Sequence, residues 1–481
     1  MNSTQNRATG GGAEQAGGEP PSGLVLLVDF GSTYTKLVAA DLNEGCIVGE
    51  TESLTTAETD ITRGLMKGLR KLEEAGLPAA AFRHRLACSS ARGGLRVIAI
   101  GLVPQLTVEA ARRAALGAGA RILRSYAHKL SSAELQGIIA QKPDMILLAG
   151  GTDGGDYDVI VHNARLLANA SLSVPIVVAG NKDAIPLVQE AFSGQKEVHF
   201  AANVLPHLGQ LNPEPARACI RQVFMERIVE AKGIRNAERF VQRVLMPTPM
   251  AVLRAAQLLA EGTKQERGVE DLMVIDVGGA TTDVHSVARG EPTQTTVVTR
   301  GLPEPYAKRT VEGDLGLRIS AVSLLAGVGE ERLSEFIGIP NLDLPATVQR
   351  LATHVGTVPT TARDVAIDLG MTKAAVRLSV ERHVGTLSEH FLPMGFCYIQ
   401  EGKDLTALPT LIGTGGPFRY LKERRQALSE ALYRTEEPFL LRPTSPRMYA
   451  DRRYIMWAMG LLAELSPTWA LKLMKDNLEE V

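Results

Sequence analysis

The stretch Leu24–Asp41, LVLLVDFGSTYTKLVAAD, has a counterpart at Leu272–Val287, LMVIDVGGATTDVHSV. Both stretches begin with an apolar run of the kind that forms a buried strand. The runs end at Asp29 and Asp276, and each acid is followed by a turn of glycine and small hydroxyl residues and then by a second strand. This repeat predicts that the chain consists of two related halves, each containing the same hairpin.

The residue types of the first hairpin suit phosphate groups. Gly31 allows a sharp turn because it has no side chain, and Ser32 and Thr33 offer hydroxyl and backbone N–H groups to phosphate oxygens. A carboxylate such as Asp29 beside phosphates normally needs a cation between them, and Mg²⁺ is the expected one. Lys36 either reaches a phosphate or faces solvent from its strand. One such hairpin is an ordinary sequence, but two copies favour a nucleotide site.

The second hairpin carries the same kinds of residue, and a glycine-rich turn, LIGTGGPF, follows it after another strand. Closely spaced glycines permit the close approach of a flat base or a sugar. The candidate residues here are Asp276, Gly278, Gly279, Thr281, Thr282, Asp283, Gly413, Gly415 and Gly416.

A similar turn, DMILLAGGTDGG, follows the first hairpin and contains the pair Gly150-Gly151. We predict that this pair is the equivalent of Gly415-Gly416 in the other half. Because only one nucleotide is expected between two halves, the Gly150–Gly155 turn is interpreted as a structural relic or as a turn that contacts substrate. Asp153 and Asp156 in and after it are either catalytic or turn-forming residues.

Composition excludes several classes of protein. The 481 residues include 52 Lys and Arg and 53 Asp and Glu, a net charge of −1, so there is no electrostatic reason to bind nucleic acid or an anionic membrane. The four cysteines are far apart, which argues against a disulfide framework or a zinc or iron–sulfur site. No apolar run approaches the ~18 residues of a membrane span. A cytoplasmic protein with reduced thiols is expected.

The rest of the chain alternates predicted strands and helices, which indicates parallel sheets covered by helices. We predict a helical or mixed segment at Thr360–Asp368, a helix at Ala374–Leu387, and a mostly helical region at 420–481. The sequence contains no P-loop, no G-x-G-x-x-G, no H-E-x-x-H and no G-x-S-x-G.

The order of hairpin, second hairpin and glycine-rich turn resembles the superfamily of actin, heat-shock chaperones and sugar kinases. This resemblance implies an α/β fold in which two ribonuclease-H-like, actin-type ATPase domains, related by internal duplication and carrying helical insertions, close on ATP and Mg²⁺. The implied organisation is a disordered tail at 1–22, a first half with an α/β insertion at 23–265, a second half with a helical insertion at 266–420, and a C-terminal helical segment at 421–481.

A closer resemblance covers about Leu24–Arg419 and, more weakly, the C-terminus. It rests on segments outside the shared ATP motifs, such as LLAGGTDGGD, IVVAGNKDA, VLMPTPMAVLRAAQLLAEG and GTVPTTARDVAIDLGMTKAAVRLSVERHVG. These segments are similar to the glutamate mutase accessory protein family, called MutL or GlmL and unrelated to the mismatch-repair protein MutL. The resemblance implies an ATP-hydrolysing chaperone that reactivates an adenosylcobalamin-dependent mutase holding damaged cobalamin.

The resemblance also implies roles for the candidate residues. Asp29 and Asp276 would position Mg²⁺ or the attacking water, and the glycines of the third motif would pass under the adenosine. The acid that activates water is not assigned. The residues implied to hold phosphates are Ser32, Thr33, Gly278, Gly279, Thr281 and Thr282.

Three other functions compete with this one. A small-molecule kinase of the same fold would transfer phosphate to a metabolite, but no sugar-recognition motif is visible. An electron-donating activator of a dehydratase would need cysteines for an iron–sulfur cluster. A polymerising or scaffolding actin relative would bind ATP without turning it over.

Overall fold

The structure is a computed structural model that describes residues 22–55, 62–90, 95–194, 196–231, 240–241, 243–392 and 395–481. The predicted disordered tail, residues 1–22, lies outside these ranges except for Ser22. No helix within the described ranges is both long and apolar enough to cross a membrane.

The strands are numbered in chain order. They are β1 Leu24–Phe30, β2 Tyr34–Asp41, β3 Cys46–Leu54, β4 Phe82–Ser89, β5 Leu95–Gly101, β6 Ala120–Ala127, β7 Met145–Leu148, β8 Ile176–Val178, β9 Val198–Phe200, β10 Arg243–Pro247, β11 Leu272–Val277, β12 Thr282–Val287, β13 Val297–Arg300, β14 Ala307–Glu312, β15 Thr386–Leu392, β16 Gly395–Glu401, β17 Thr410–Gly415, β18 Arg447–Asp451 and β19 Leu478–Glu480.

The helices lie between these strands, and the last two of them lie between β18 and β19. The α-helices span Thr62–Glu74, Glu109–Gly117, Ser132–Gln141, Asp158–Ala168, Ile185–Phe192, Glu214–Ala231, Thr248–Glu261, Ala321–Val328, Glu330–Ile337, Leu344–Thr353, Ala362–His383, Gly416–Tyr420, Arg424–Leu428, Met456–Leu462 and Pro467–Asn477, and one π-helix spans Pro104–Val108.

Two sheets share one topology. The first has the strand order β10-β4-β1-β2-β3 and the second β18-β17-β11-β12-β14, with β19 added beside β18. In each sheet the central strand pairs antiparallel with the second strand of the hairpin and parallel with the strand on its other side. The predicted internal duplication is therefore confirmed, and each half has the ribonuclease-H-like arrangement of the actin-type fold.

The central strands carry the site because of what they bury. Strand β1 is covered on both faces and reads as a nearly continuous apolar run, as strands of covered sheets do. Asp29 and Asp276 lie near the carboxyl ends of β1 and β11, where the apolar runs stop. Both carboxylates consequently point into the region between the two halves.

An inserted domain, residues 95–200, separates β4 from β10. Its five strands are all parallel in the order β6-β5-β7-β8-β9, which is the flavodoxin-like order. The turn after β7 is the Gly150–Gly155 turn, so its predicted equivalence to Gly415-Gly416 was wrong. The true positional equivalent of β17 is β4, because both lie next to the central strand of their sheet.

Inside the insertion the glycine turn is held by its own neighbours. Asn181 donates to the carbonyls of Gly155 and Asp156, and Asn203 donates to Asp153 at 2.9 Å. Asp153 also accepts the backbone N–H of Lys182. The hydrogen bonds of Asp153 are those of a turn-forming residue.

Two predictions for the second half need correction. A single helix, Ala362–His383, replaces the two predicted helical segments, and β15 begins at Thr386 where the second of them was to continue. The C-terminal region is not mostly helical, because β18 and β19 extend the second sheet. Strands β13, β16 and β15 form a separate small sheet.

The halves meet on helices Thr248–Glu261 and Met456–Leu462, which follow β10 and β18 in equivalent positions. The two helices touch closely at Gly460, where an added Cβ would lie 1.9 Å from the Ala251 carbonyl oxygen. Apolar residues of both central strands and the buried Trp457 complete one core around them. This core joins the halves at their base and leaves a cavity between the hairpins.

Candidate functional site

The two hairpins face each other across a cavity between the halves. A Cβ added at Gly279 would lie 3.1 Å from the Thr33 hydroxyl oxygen, so the turns approach to within one side chain. The cavity is lined by Asp29, Gly31, Ser32, Thr33, Tyr34, Lys36, Ser90, Thr248, Pro249, Asp276, Val277, Gly278, Gly279, Ala280, Thr281, Asp283, Leu317, Arg318, Val355, Thr357, Val358, Gly416, Pro417, Tyr420 and Tyr454.

The turns of the two hairpins close in the same way. The Gly31 N–H donates to the Tyr34 carbonyl at 3.1 Å, and the Gly278 N–H donates to the Thr281 carbonyl at 2.9 Å. A Cβ at Gly31 would lie 2.4 Å from the Tyr34 oxygen. Only glycine fits this turn, which explains why the motif requires it.

Asp29 is buried, and both of its carboxylate oxygens have partners. Oδ2 accepts from the Lys36 ammonium at 2.8 Å, and Oδ1 accepts from the Thr248 hydroxyl at 2.6 Å. The Cys88 thiol lies 3.6 Å from Oδ1. A buried carboxylate paired in this way is held in one position, and breaking the pair would strand the Lys36 charge.

Lys36 lies in the cavity wall and not in solvent. Its ammonium is 4.1 Å from the centre of the Tyr454 ring and 5.9 Å from that of Trp457. Burial alone would lower the pKa of Lys36, but the charge and hydrogen bond of Asp29, together with Tyr454 and Asp276, outweigh it and the pKa is raised. The side chain is therefore a fixed cation at the edge of the site.

Asp276 differs from Asp29 in one respect. Its Oδ1 is shielded from solvent and accepts no hydrogen bond from any described residue. Burial, together with the nearby carboxylates of Asp283 and Asp29, raises the pKa of Asp276 to about 7. A shielded carboxylate oxygen without a donor is the arrangement that a bound cation would complete.

Thr33 carries a second shielded oxygen without a hydrogen-bond partner among the described residues. Thr33 belongs to the first hairpin and Asp276 to the second, and both line the cavity. The hydroxyl can donate, so it would suit an anion such as a phosphate oxygen. The cavity thus presents one acceptor in need of a cation and one donor in need of an anion.

Asp283 lines the cavity, but its carboxylate is already engaged. Oδ1 accepts from Arg309 Nε at 2.8 Å, and Oδ2 accepts from the Thr281 hydroxyl at 3.0 Å. Of the three acids that line the cavity, Asp276 is the one with a carboxylate oxygen that lacks a partner in the described structure.

Three predicted residues lie behind the cavity wall. The Thr282 hydroxyl donates to the Leu315 carbonyl at 2.7 Å, within the second half. Gly413 makes room for the Phe418 ring, and Gly415 (φ +103°) lies against the Val277 backbone. Gly416 is the glycine that borders the cavity, and a Cβ added there would meet nothing within 4 Å.

Sequence reasoning missed a cluster around the buried Asp368 carboxylate, on the side of Gly416. Arg318 binds both oxygens of Asp368, at 3.1 and 2.7 Å, and also donates to the Thr357 carbonyl. The Tyr420 hydroxyl donates to the same carboxylate. Burial of this hydroxyl is the larger cause that raises the pKa of Tyr420, and the negative charge of Asp368 is the next. Tyr420 follows Gly416 by about one helical turn. This spacing is the sequence signal that could have placed Tyr420 near the site.

The charge arrangement limits which metal the site can hold. Among the described residues there is no cluster of three or more His, Cys, Asp or Glu that could bind a metal ion. Mg²⁺ commonly takes one or two carboxylates and completes its shell with water and substrate phosphates. The Asp276 oxygen that lacks a donor fits a cation with so few protein ligands.

Comparisons with known proteins point in one direction. A family described as MutL protein matches residues 25–478. A protein named Protein MutL from Clostridium tetanomorphum is 48% identical over 458 residues, which cover 95% of this chain and 99% of that protein.

Solved structures with a similar course of the chain include an acetone carboxylase and two kinases. A nucleotide-free acetone carboxylase has a TM-score of 0.41 at 14% identity and covers 92% of this chain and 70% of its own. A ROK hexokinase from Thermus thermophilus has a TM-score of 0.27 at 13% identity, with 94% and 99% covered. A xylulose kinase from Bifidobacterium adolescentis has a TM-score of 0.32 at 14% identity, with 94% and 93% covered.

Proposed function

The chain belongs to the MutL protein family, the glutamate mutase accessory family, and from this membership we propose that it is an ATP-binding and ATP-hydrolysing chaperone. Its proposed client is an adenosylcobalamin-dependent mutase such as glutamate mutase, which it would reactivate by loosening the grip of the mutase on damaged cobalamin. The observation that carries the nucleotide part is the cavity between two equivalent hairpins, with one orphaned carboxylate oxygen and one orphaned hydroxyl.

We assign the residues as follows. Ser32, Thr33 and the backbone of Gly278–Thr281 would bind phosphate oxygens, and Lys36 would add a fixed positive charge. Asp276 would hold Mg²⁺, directly or through water, with Asp29 keeping Lys36 in place. When bound, Mg²⁺ supplies charge neutralisation for the phosphates. The adenosine would lie over Gly416, between Pro417 and Arg318.

The hydrogen bonds of the three cavity acids support Asp276 as the group that orients the attacking water. Since Asp29 and Asp283 have partners on both oxygens, Asp276 is the cavity carboxylate with capacity left to orient a water. Closure of the two halves around the phosphates would exclude bulk water from this carboxylate. Hydrolysis would then return the halves to the arrangement preferred with ADP. This movement between the halves would loosen the bound mutase.

The proposal is tested by measuring phosphate release in three conditions: the protein alone, with active mutase, and with mutase that carries cobalamin lacking its adenosyl group. We expect Mg²⁺-dependent release that rises at least about fivefold with the inactivated mutase, because the client would favour the state that hydrolyses ATP. Recovery of mutase activity should require free adenosylcobalamin and ATP.

Two outcomes would contradict this proposal. Transfer of the phosphate to a metabolite in place of water would assign the chain to the small-molecule kinases. Nucleotide binding without turnover in any condition, together with ATP-dependent light scattering, would assign it to the polymerising relatives. Calorimetry with ATP, ADP and Mg²⁺ is the first step, since absence of binding by folded protein would remove every nucleotide-based function.

The raised pKa of Asp276 predicts that Mg²⁺·ATP binds more weakly in acid. Below pH 7 the carboxyl is protonated, and the proton competes with the cation. We expect the affinity at pH 6 to be about tenfold lower than at pH 8, because one group with this pKa changes its ionised fraction by that factor. Calorimetry at both pH values measures it.

The control for this pH effect is Asp276→Asn, which cannot ionise. ATP itself is protonated to the same extent in experiments with either protein. Any difference between the two pH profiles is therefore caused by Asp276. An identical drop in both proteins would show that this carboxyl does not take part in metal binding.

A further inference from the structure

Arg309 on β14 joins the second hairpin to the inserted domain. Its buried guanidinium contacts the Asp283 carboxylate, with Nε at 2.8 Å and Nη2 at 2.6 Å from Oδ1. Its Nη1 donates to the carbonyls of Leu116 and Ala120, at 3.0 and 2.8 Å. One side chain thus binds two parts of the molecule that are far apart in sequence.

The inserted end of this link is the C-terminus of helix Glu109–Gly117. The last carbonyls of a helix have no partner within the helix and carry partial negative charge. Arg309 supplies donors and a positive charge to that end. Between the two carbonyls the chain turns at Gly119 with φ +91°. The helix end and the start of β6 are therefore fixed by a residue of the other half.

The other end of the link reaches the cavity. Asp283, which Arg309 binds, also accepts the Thr281 hydroxyl at 3.0 Å, and both residues line the cavity. Direct contacts thus run from Thr281 through Asp283 and Arg309 to Leu116 and Ala120. The planar guanidinium ties the two ends together, because moving the carboxylate must turn or pull the donors that face the carbonyls.

We infer that Arg309 couples the phosphate site to the inserted domain, so that a nucleotide in the cavity changes the C-terminus of helix Glu109–Gly117. The inference rests on the proposed nucleotide function. A phosphate or Mg²⁺ beside Thr281 and Asp283 competes for their hydrogen bonds. When the Asp283 carboxylate shifts, the hydrogen bonds from Arg309 to Leu116 and Ala120 shift with it. A ligand shifts such an element only through contacts that differ between the free and the bound state, and the hydrogen bonds of Thr281 and Asp283 are the ones that a phosphate or Mg²⁺ would change.

A second attachment keeps the inserted domain in place when the first is altered. Arg113 donates to the carbonyls of Leu302 and Pro303 and binds Glu304 at 2.6 Å. None of these residues lines the cavity. Arg113 therefore offers a matched control, since it joins the same helix to the same half without touching the phosphate site.

The test is hydrogen–deuterium exchange of residues 109–121 with and without saturating ATP and Mg²⁺. In the wild type we expect nucleotide to change exchange rates there by about fivefold. Arg309→Lys keeps the charge but cannot bind the carboxylate and two carbonyls together, so the change should fall below about twofold. Arg113→Lys should keep the full nucleotide response even if its basal exchange is faster.

A merely structural Arg309 would alter exchange equally with and without nucleotide, so an unchanged nucleotide response in Arg309→Lys overturns the inference. So does a wild type that binds ATP by calorimetry but shows no response in this segment, and that result leaves the proposed function standing. Absence of ATP binding removes the proposed function itself. If Arg309→Lys does not fold, Thr281→Val removes the hydroxyl that binds Asp283 at the cavity end of the link. At a nucleotide concentration at which calorimetry shows this variant to be saturated, it should lose the response.

Discussion

Replacing Asp276 by asparagine is expected to lower the rate of ATP hydrolysis at least about 100-fold, the size of effect seen when one preorganised electrostatic group is lost from an active site. The change keeps the shape of the side chain but removes the charge that would hold Mg²⁺ and orient water. Its Oδ1 has no partner in the described structure, so no protein hydrogen bond to that oxygen is lost. Phosphate release at saturating Mg²⁺·ATP measures the effect.

The same variant should not lose stability. Folding raises the pKa of Asp276 from 3.8 to about 7, so this group lowers the free energy of unfolding as the pH rises between these two values, and the full cost is present above pH 7. Asparagine cannot ionise, and at pH 8 without Mg²⁺ the variant should unfold at the same temperature as the wild type or higher. Asp271→Asn, just before the same strand and outside the cavity, is the matched control. Normal turnover by Asp276→Asn would show that another group performs the role.

Replacing Gly416 by valine is expected to weaken ATP binding about 100-fold without unfolding the protein. An added Cβ meets nothing within 4 Å in the structure, and Gly416 lines the cavity where the adenosine would lie. A steric conflict of about 3 kcal/mol with the ligand corresponds to that loss in affinity. Calorimetry gives the affinity, and thermal unfolding without nucleotide should match the wild type.

Gly415→Val provides the contrast one residue earlier. There the backbone has φ +103°, and a Cβ would lie 2.2 Å from the Val277 carbonyl oxygen. We expect the free energy of unfolding to fall by roughly 3 kcal/mol or more, because strain and overlap both oppose the native state. Unchanged ATP affinity of a folded Gly416→Val would mean that the adenosine site is elsewhere.

The hairpins could be predicted because each is local. An apolar run, an acid and a glycine turn within a dozen residues contain the strand, its end and the reason for the turn. Asp29, Thr33 and Asp276 accordingly lie where their motifs place them. The internal repeat could also be predicted from the sequence. The structure confirms it, because β1 and β11 occupy the same position in their sheets.

What failed was the assignment of strands to sheets. The turn at Gly150 follows an apolar strand just as Gly415 does, and periodicity does not reveal that β7 pairs with β5 and β8. Partners from distant segments were equally hidden. Thr248 reaches Asp29 because β10 and β1 flank β4 in the first sheet. Tyr454 covers Lys36 because the two halves pack together. No local pattern records such a contact.

The position of the inserted domain has a consequence for how the chain folds. Strands β4 and β10 are neighbours in the first sheet, yet the whole insertion lies between them in sequence. Pairing of such distant strands is slow unless the intervening chain is already compact, because closing a long loop costs entropy. During synthesis the first sheet must therefore wait for the insertion to collapse. A substitution that slows folding of the insertion should leave an incomplete, aggregation-prone first sheet, although it touches no residue of that sheet.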